Sequence, residues 1–107
     1  MLVCFFVLGS CAYNEFNPCE NTSPSFDMQI RTIFEDNCIS CHNTGNSSGS
    51  LALETYQDIS DAVLNGQVLY RINLMLDDPL LMPVGDKLST EEIQLITEWK
   101  NNGACNN

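Results

Sequence analysis

Apolar residues in the first half of the chain recur with helical period. Phe26, Ile30, Ile33 and Phe34 stand at i, i+4, i+7 and i+8, which is one face of an α-helix. Ser23 suits the N-cap and Pro24 the first helical position, so a helix is predicted from there to about Asp36. Thr55 and Asp58 form a capping pair that opens a second helix with Ile59, Ala62 and Val63 on one face, stopped near Gly66. A third is predicted over Val68 to Leu76, offering Leu69, Ile72, Leu76 and Met75 to the core and ended by Asp77-Asp78-Pro79. Ser89 and Glu92 make a capping box, with Leu88 and Ile93 placed as a hydrophobic staple. Ile93, Ile96, Trp99 and Lys100 then line one face of a last helix closed by Asn101-Asn102-Gly103. Asn43 to Ser50 is small, polar and glycine-containing, hence a loop; Leu51 and Leu53 behind it are expected to pack inward. Leu80 to Gly85 cannot be regular helix, because Pro83 pushes Met82 toward extended backbone. No stretch alternates convincingly as a strand. The pattern predicts an all-α chain of short helices.

The N-terminus differs. Leu2 to Leu8 is an apolar run far too short to span a bilayer, and it resembles the h-region of a secretory signal. Leu8-Gly9-Ser10-Cys11 looks like a bacterial lipobox, in which Cys11 is acylated and heads the mature chain. The departure is an n-region without Lys or Arg; the alternative is a buried strand or helix. The expected organisation is a lipoprotein signal over 1–10, a polar lipid-anchored tether over 11–23, and one domain over 24–107. Localisation at the cell envelope follows, periplasm-facing or on the surface, with the membrane reached through the anchor.

Composition narrows the partners. Among 107 residues, fourteen acidic side chains outweigh four basic ones, for a net charge of −10. That disfavours nucleic acid, which selects basic surfaces. It suits a basic docking surface on a protein partner, or serves solubility alone. A domain this small has a thin core and needs a further staple, such as a disulfide or a cofactor.

The chemistry concentrates in Cys38-Ile39-Ser40-Cys41-His42. C-x-x-C-H is the pattern that attaches a c-type haem. Two thiols three positions apart can each add to a vinyl group of the porphyrin, and the adjacent imidazole serves as the proximal iron ligand. His42 is the chain's one histidine. Three other readings compete: a structural zinc site, which needs a fourth ligand; a thioredoxin-like pair, which would follow a strand; and a chance match in a loop. For a second iron ligand the candidates are Met28 on the first helix, Met75 in an apolar helical run, and Met82. Non-helical backbone stiffened by Pro83 favours Met82.

Ile33-Phe34-Glu35, the Cys38 to His42 motif, Gly49-x-Leu51-x-Leu53, Tyr70-Arg71, Met82-Pro83, Lys87-Leu88-Ser89 and Trp99 to Ala104 together resemble the small monohaem class I c-type cytochromes, most nearly the planctomycete-type cytochrome c domain. The resemblance spans roughly Phe26 to Ala104. It implies a cytochrome c fold, four to five short helices around one covalent haem c. It also implies thioethers at Cys38 and Cys41, axial ligands His42 and Met82, and single-electron transfer between redox partners rather than enzymatic turnover. By the same resemblance Arg71 reaches a haem propionate, against a surface ion pair as the alternative. The first and last helices of that fold pack together, which would bring Cys19 near Cys105 for a disulfide suited to an oxidising compartment. Two other functions remain open: a haem protein with an open iron position, peroxidase-like or gas-sensing, and a non-haem C-x-x-C metal-binding module.

Overall fold

The computed structural model describes Cys19 and residues 22–107. Among them are four α-helices and no strand: α1 (Arg31–Asn37), α2 (Tyr56–Leu64), α3 (Val68–Ile72) and α4 (Thr90–Asn101). A π-helical turn, Phe26–Ile30, runs straight into α1, and a single 3-10 turn covers Ser48–Ser50. The class is all-α. The signal expected over 1–10, the lipidation site Cys11 and all but the end of the tether lie outside the described residues. Among those described, no helix is long and apolar enough to cross a membrane.

The first helical segment starts two residues later than its sequence suggests. Ser25, not Ser23, is the N-cap: its Oγ accepts from the Met28 amide at 3.2 Å. Gln29 returns the bond, its Oε1 accepting from the Ser25 amide at 2.8 Å. Pro24 is buried outside the helix instead of occupying its first position. The deciding partner is remote. Asn107 Oδ1 accepts from the Phe26 amide at 2.9 Å, satisfying a helix-start donor that has no intrahelical partner.

The apolar face read from the sequence is the core. Phe26, Ile30, Ile33 and Phe34 are all buried, together with Ile59 and Val63 of α2, Ile72 of α3, and Ile96 and Trp99 of α4. Side chains of this size contribute about 1.5–3 kcal/mol each when removed from water. Three rings meet at the centre: Phe26 lies edge-on to Tyr56 at 5.0 Å and tilted against Trp99 at 5.6 Å. Their polar handles are satisfied by the segment after α4. Tyr56 Oη donates to the Ala104 carbonyl at 2.6 Å, and Trp99 Nε1 to the Cys105 carbonyl at 2.8 Å. Gly103, at φ 97°, lets the chain reverse into that position. A bond between Cys19 and Cys105, with Cα atoms 5.3 Å apart, ties the two ends together. Asn102 and Asn107 add to the tie by donating to the Ser23 and Thr22 carbonyls at 2.9 and 2.7 Å.

Both capping boxes form, Thr55 with Asp58 on α2 and Ser89 with Glu92 on α4. Gly66 acts by close approach. Its amide donates to the Ala62 carbonyl at 3.1 Å, and a Cβ there would lie 2.6 Å from that oxygen.

The third helix is shorter than expected, ending at Ile72 instead of Leu76. Side chains take over the carbonyls a longer helix would use. Asn73 Nδ2 donates to the Leu69 carbonyl at 2.6 Å, and Lys87 Nζ donates to those of Ile72 and Leu74 at 3.0 and 2.8 Å. Met75 and Leu76, expected in the core, are therefore exposed, at 74% and 62%. Leu81 fills the interior in their place. Leu53 packs inward, while Leu51 is left partly exposed at the rim of the cavity described next.

Candidate cofactor site

Helix α1 delivers the chain directly into the cysteine motif. The Cys38 and Ile39 amides both donate to the Phe34 carbonyl, closing the helix, and the Cys41 and His42 amides donate to the Cys38 carbonyl at 3.2 and 3.0 Å. The motif is thus wound in a tight turn. Cys38 is half-buried against the core and Cys41 exposed, and both are free thiols rather than a disulfide pair.

His42 is held by the segment that follows the polar loop. Its Nδ1 lies 2.9 Å from the Leu51 carbonyl oxygen. A carbonyl only accepts, so Nδ1 carries the proton and the neutral ring keeps its lone pair on Nε2. The same segment also grips the backbone, the Leu53 amide donating to the His42 carbonyl at 2.6 Å. A histidine ordered through one nitrogen with the other left basic is the arrangement found at metal-ligating imidazoles.

Met82 approaches from the loop after α3. Its amide donates to the Arg71 carbonyl at 3.2 Å, and the side chain is half-buried. Cys38, Cys41, His42 and Met82 line one cavity of about 790 Å³, within the roughly 300–1,000 Å³ typical of cofactor and ligand pockets. Phe34, Leu53, Ala62 and Ile72 supply its apolar wall. Met28 and Met75 are exposed and take no part in it. Arg71 also lines the cavity, with Nη1 on the Leu80 carbonyl and Nε on Gln67 Oε1, each at 3.4 Å. It makes no ion pair; among the described residues the pair formed is Arg31 with Asp27, at 3.3 Å.

Burial pushes the Cys38 thiol up to about 11, and the nearby Glu92 carboxylate and Cys41 add to the effect. Glu92 itself accepts from Asn37 Nδ2 at 3.1 Å, which joins the start of α4 to the end of α1 beside the motif. No cluster of three or more His, Cys, Asp or Glu side chains able to hold a metal ion exists among the described residues, and the motif follows a helix, not a strand. A large, mainly apolar cavity joining two free thiols, an oriented imidazole and a thioether fits a covalently attached haem.

Two contributors have no sequence signature. The Leu51 carbonyl that orients His42 is backbone, which any residue provides, and the Lys87 contact with α3 depends on the path of the loop. Comparison with protein-family models, with curated proteins and with solved structures finds no match.

Proposed function

We propose that this chain is a monohaem c-type cytochrome of the small class I kind, an electron carrier anchored at the cell envelope through Cys11. The observation that carries the reading is the convergence on one cavity of the Cys38, Cys41 and His42 motif and of Met82, which is distant from it in sequence. Cys38 and Cys41 would hold the haem by adding their S–H groups across its two vinyl groups, with His42 and Met82 as axial ligands of the iron. When bound, the haem supplies a one-electron Fe(III)/Fe(II) couple.

The remaining work belongs to the chain. The Leu51 carbonyl fixes the His42 ring and increases the basicity of Nε2 through the Nδ1 bond. Met82 as second ligand would raise the potential relative to a stronger donor and would keep exogenous ligands out. Phe34, Leu53 and Ile72 exclude water, which keeps reorganisation small. Arg71, on the cavity wall and unpaired with any carboxylate among the described residues, is placed to meet a propionate. Tyr70, Leu80 and Val84 around the Met82 loop are exposed, as are Asp77 and Asp86 of the same stretch of chain. An apolar surface bordered by carboxylates suits a partner carrying a basic rim.

Protein matured with the haem-attachment machinery tests the reading. The oxidised form is expected to show a Met–Fe(III) charge-transfer band that Met82→Ala abolishes, with a lowered potential. Survival of the band in Met82→Ala would exclude Met82 as the ligand. Rapid CO binding by the unmodified reduced protein would favour an open iron position instead.

A further inference from the structure

We propose that Lys87 is a positioning residue for Met82, its ammonium clasping shut the loop that presents the thioether; this rests on the axial-ligand reading above. The chain from Asn73 to Asp86 contains no helix, yet it must hold one side chain against the cavity. Its first end is the C-terminus of α3, where carbonyls lack intrahelical donors and the backbone dipoles favour a cation. Lys87, at the loop's other end, reaches back to that terminus: Nζ donates to the Ile72 carbonyl at 3.0 Å and the Leu74 carbonyl at 2.8 Å. Fourteen carboxylates are present in the chain, but Lys87 forms an ion pair with none among the described residues.

The clasp works beside other restraints. The Met82 amide is held by the Arg71 carbonyl at 3.2 Å, Arg71 Nη1 donates to the Leu80 carbonyl at 3.4 Å, and Leu81 is buried as a plug. These fix the middle of the loop from the α3 side. None closes its ends, and an unclosed loop of this length has many conformations in which the thioether leaves the cavity. Lys87 removes those states while touching neither the cavity nor the proposed iron ligands.

The test uses full-length, haem-loaded protein and three readouts: the Met–Fe(III) band, titration of the oxidised protein with imidazole, and amide exchange across residues 73–86. Lys87→Met keeps the length of the stem and removes the donors. It is expected to leave the Soret band and covalent attachment unchanged, to bind imidazole about tenfold more tightly, and to exchange faster in the loop. Lys87→Arg, which retains donors for both carbonyls, should return imidazole affinity to within about twofold of the parent. Parent-like imidazole affinity in Lys87→Met, or failure of Lys87→Arg to improve on it, overturns the proposal. A parent protein with no Met–Fe(III) band overturns the axial-ligand reading as well, so the two failures are distinguishable.

Discussion

Replacing both Cys19 and Cys105 with alanine should remove a large share of the domain's stability. The bond joins residues separated by 86 positions. In the chain-entropy account, closing a loop of that length restricts the unfolded state by about 4.6 kcal/mol at 25 °C. A domain of this size has about 4–13 kcal/mol in total. The figure is a lower bound on the native side, because Cys105 is buried and its truncation also leaves unfilled space around it. At about 4–8 °C per kcal/mol, the midpoint should fall by roughly 18–37 °C. Differential scanning calorimetry of parent and double variant, both haem-loaded and anchor-free, reads this directly. The hydrogen bonds of Asn102 and Asn107 are present in both folded proteins and cancel to first order. A shift below about 5 °C would refute the reasoning, since it would mean that those contacts and the core hold the ends together without help.

Two further expectations concern the haem-free chain. With Cys41 replaced by serine, Cys38 should alkylate at least about tenfold more slowly at pH 8 than an ordinary thiol, because its raised pKa leaves little thiolate. The same shift, from 9.0 to about 11, makes the stabilising contribution of the protonated Cys38 thiol complete below about pH 9 and lost as pH climbs through about 11, since the unfolded thiol ionises first. Denaturant midpoints between pH 8 and 11 check it, with the Cys38→Ala variant as the reference that should show a flatter profile. Gly66→Ala should destabilise the fold by about 1–3 kcal/mol, as its Cβ would meet the Ala62 carbonyl oxygen at 2.6 Å; an unchanged melting temperature would show that the α2 terminus gives way freely.

What could be read from the sequence was what neighbouring residues decide. The capping boxes at Thr55 and Ser89 and the face from Phe26 to Phe34 depend on contacts three to eight positions apart, and they are found where the pattern puts them. The misplaced boundaries were set from afar. Ser25 replaces Ser23 as a cap because Asn107 arrives at the same helix start, and α3 stops early because Lys87 takes its terminal carbonyls from fifteen residues downstream. Met75 and Leu76 were drawn into the expected core by a helical period that those carbonyls no longer sustain. The site divides the same way. Cys38, Cys41 and His42 are adjacent and carry their spacing openly, and Met82 is marked by the proline behind it. The bond that orients His42 ends on a backbone carbonyl, and hydrophobic pattern has no means of announcing it.

Two thioethers are proposed to hold a haem in the cavity between His42 and Met82. Intact mass of the protein matured with the haem-attachment machinery, taken after acid denaturation and organic extraction, tests it most directly. The expected result is a mass increased by one haem that survives extraction, is lost completely when Cys38 and Cys41 are both replaced by alanine, and accompanies a Soret band. Unmodified mass in the parent protein, with the two thiols still free to alkylate, would contradict it.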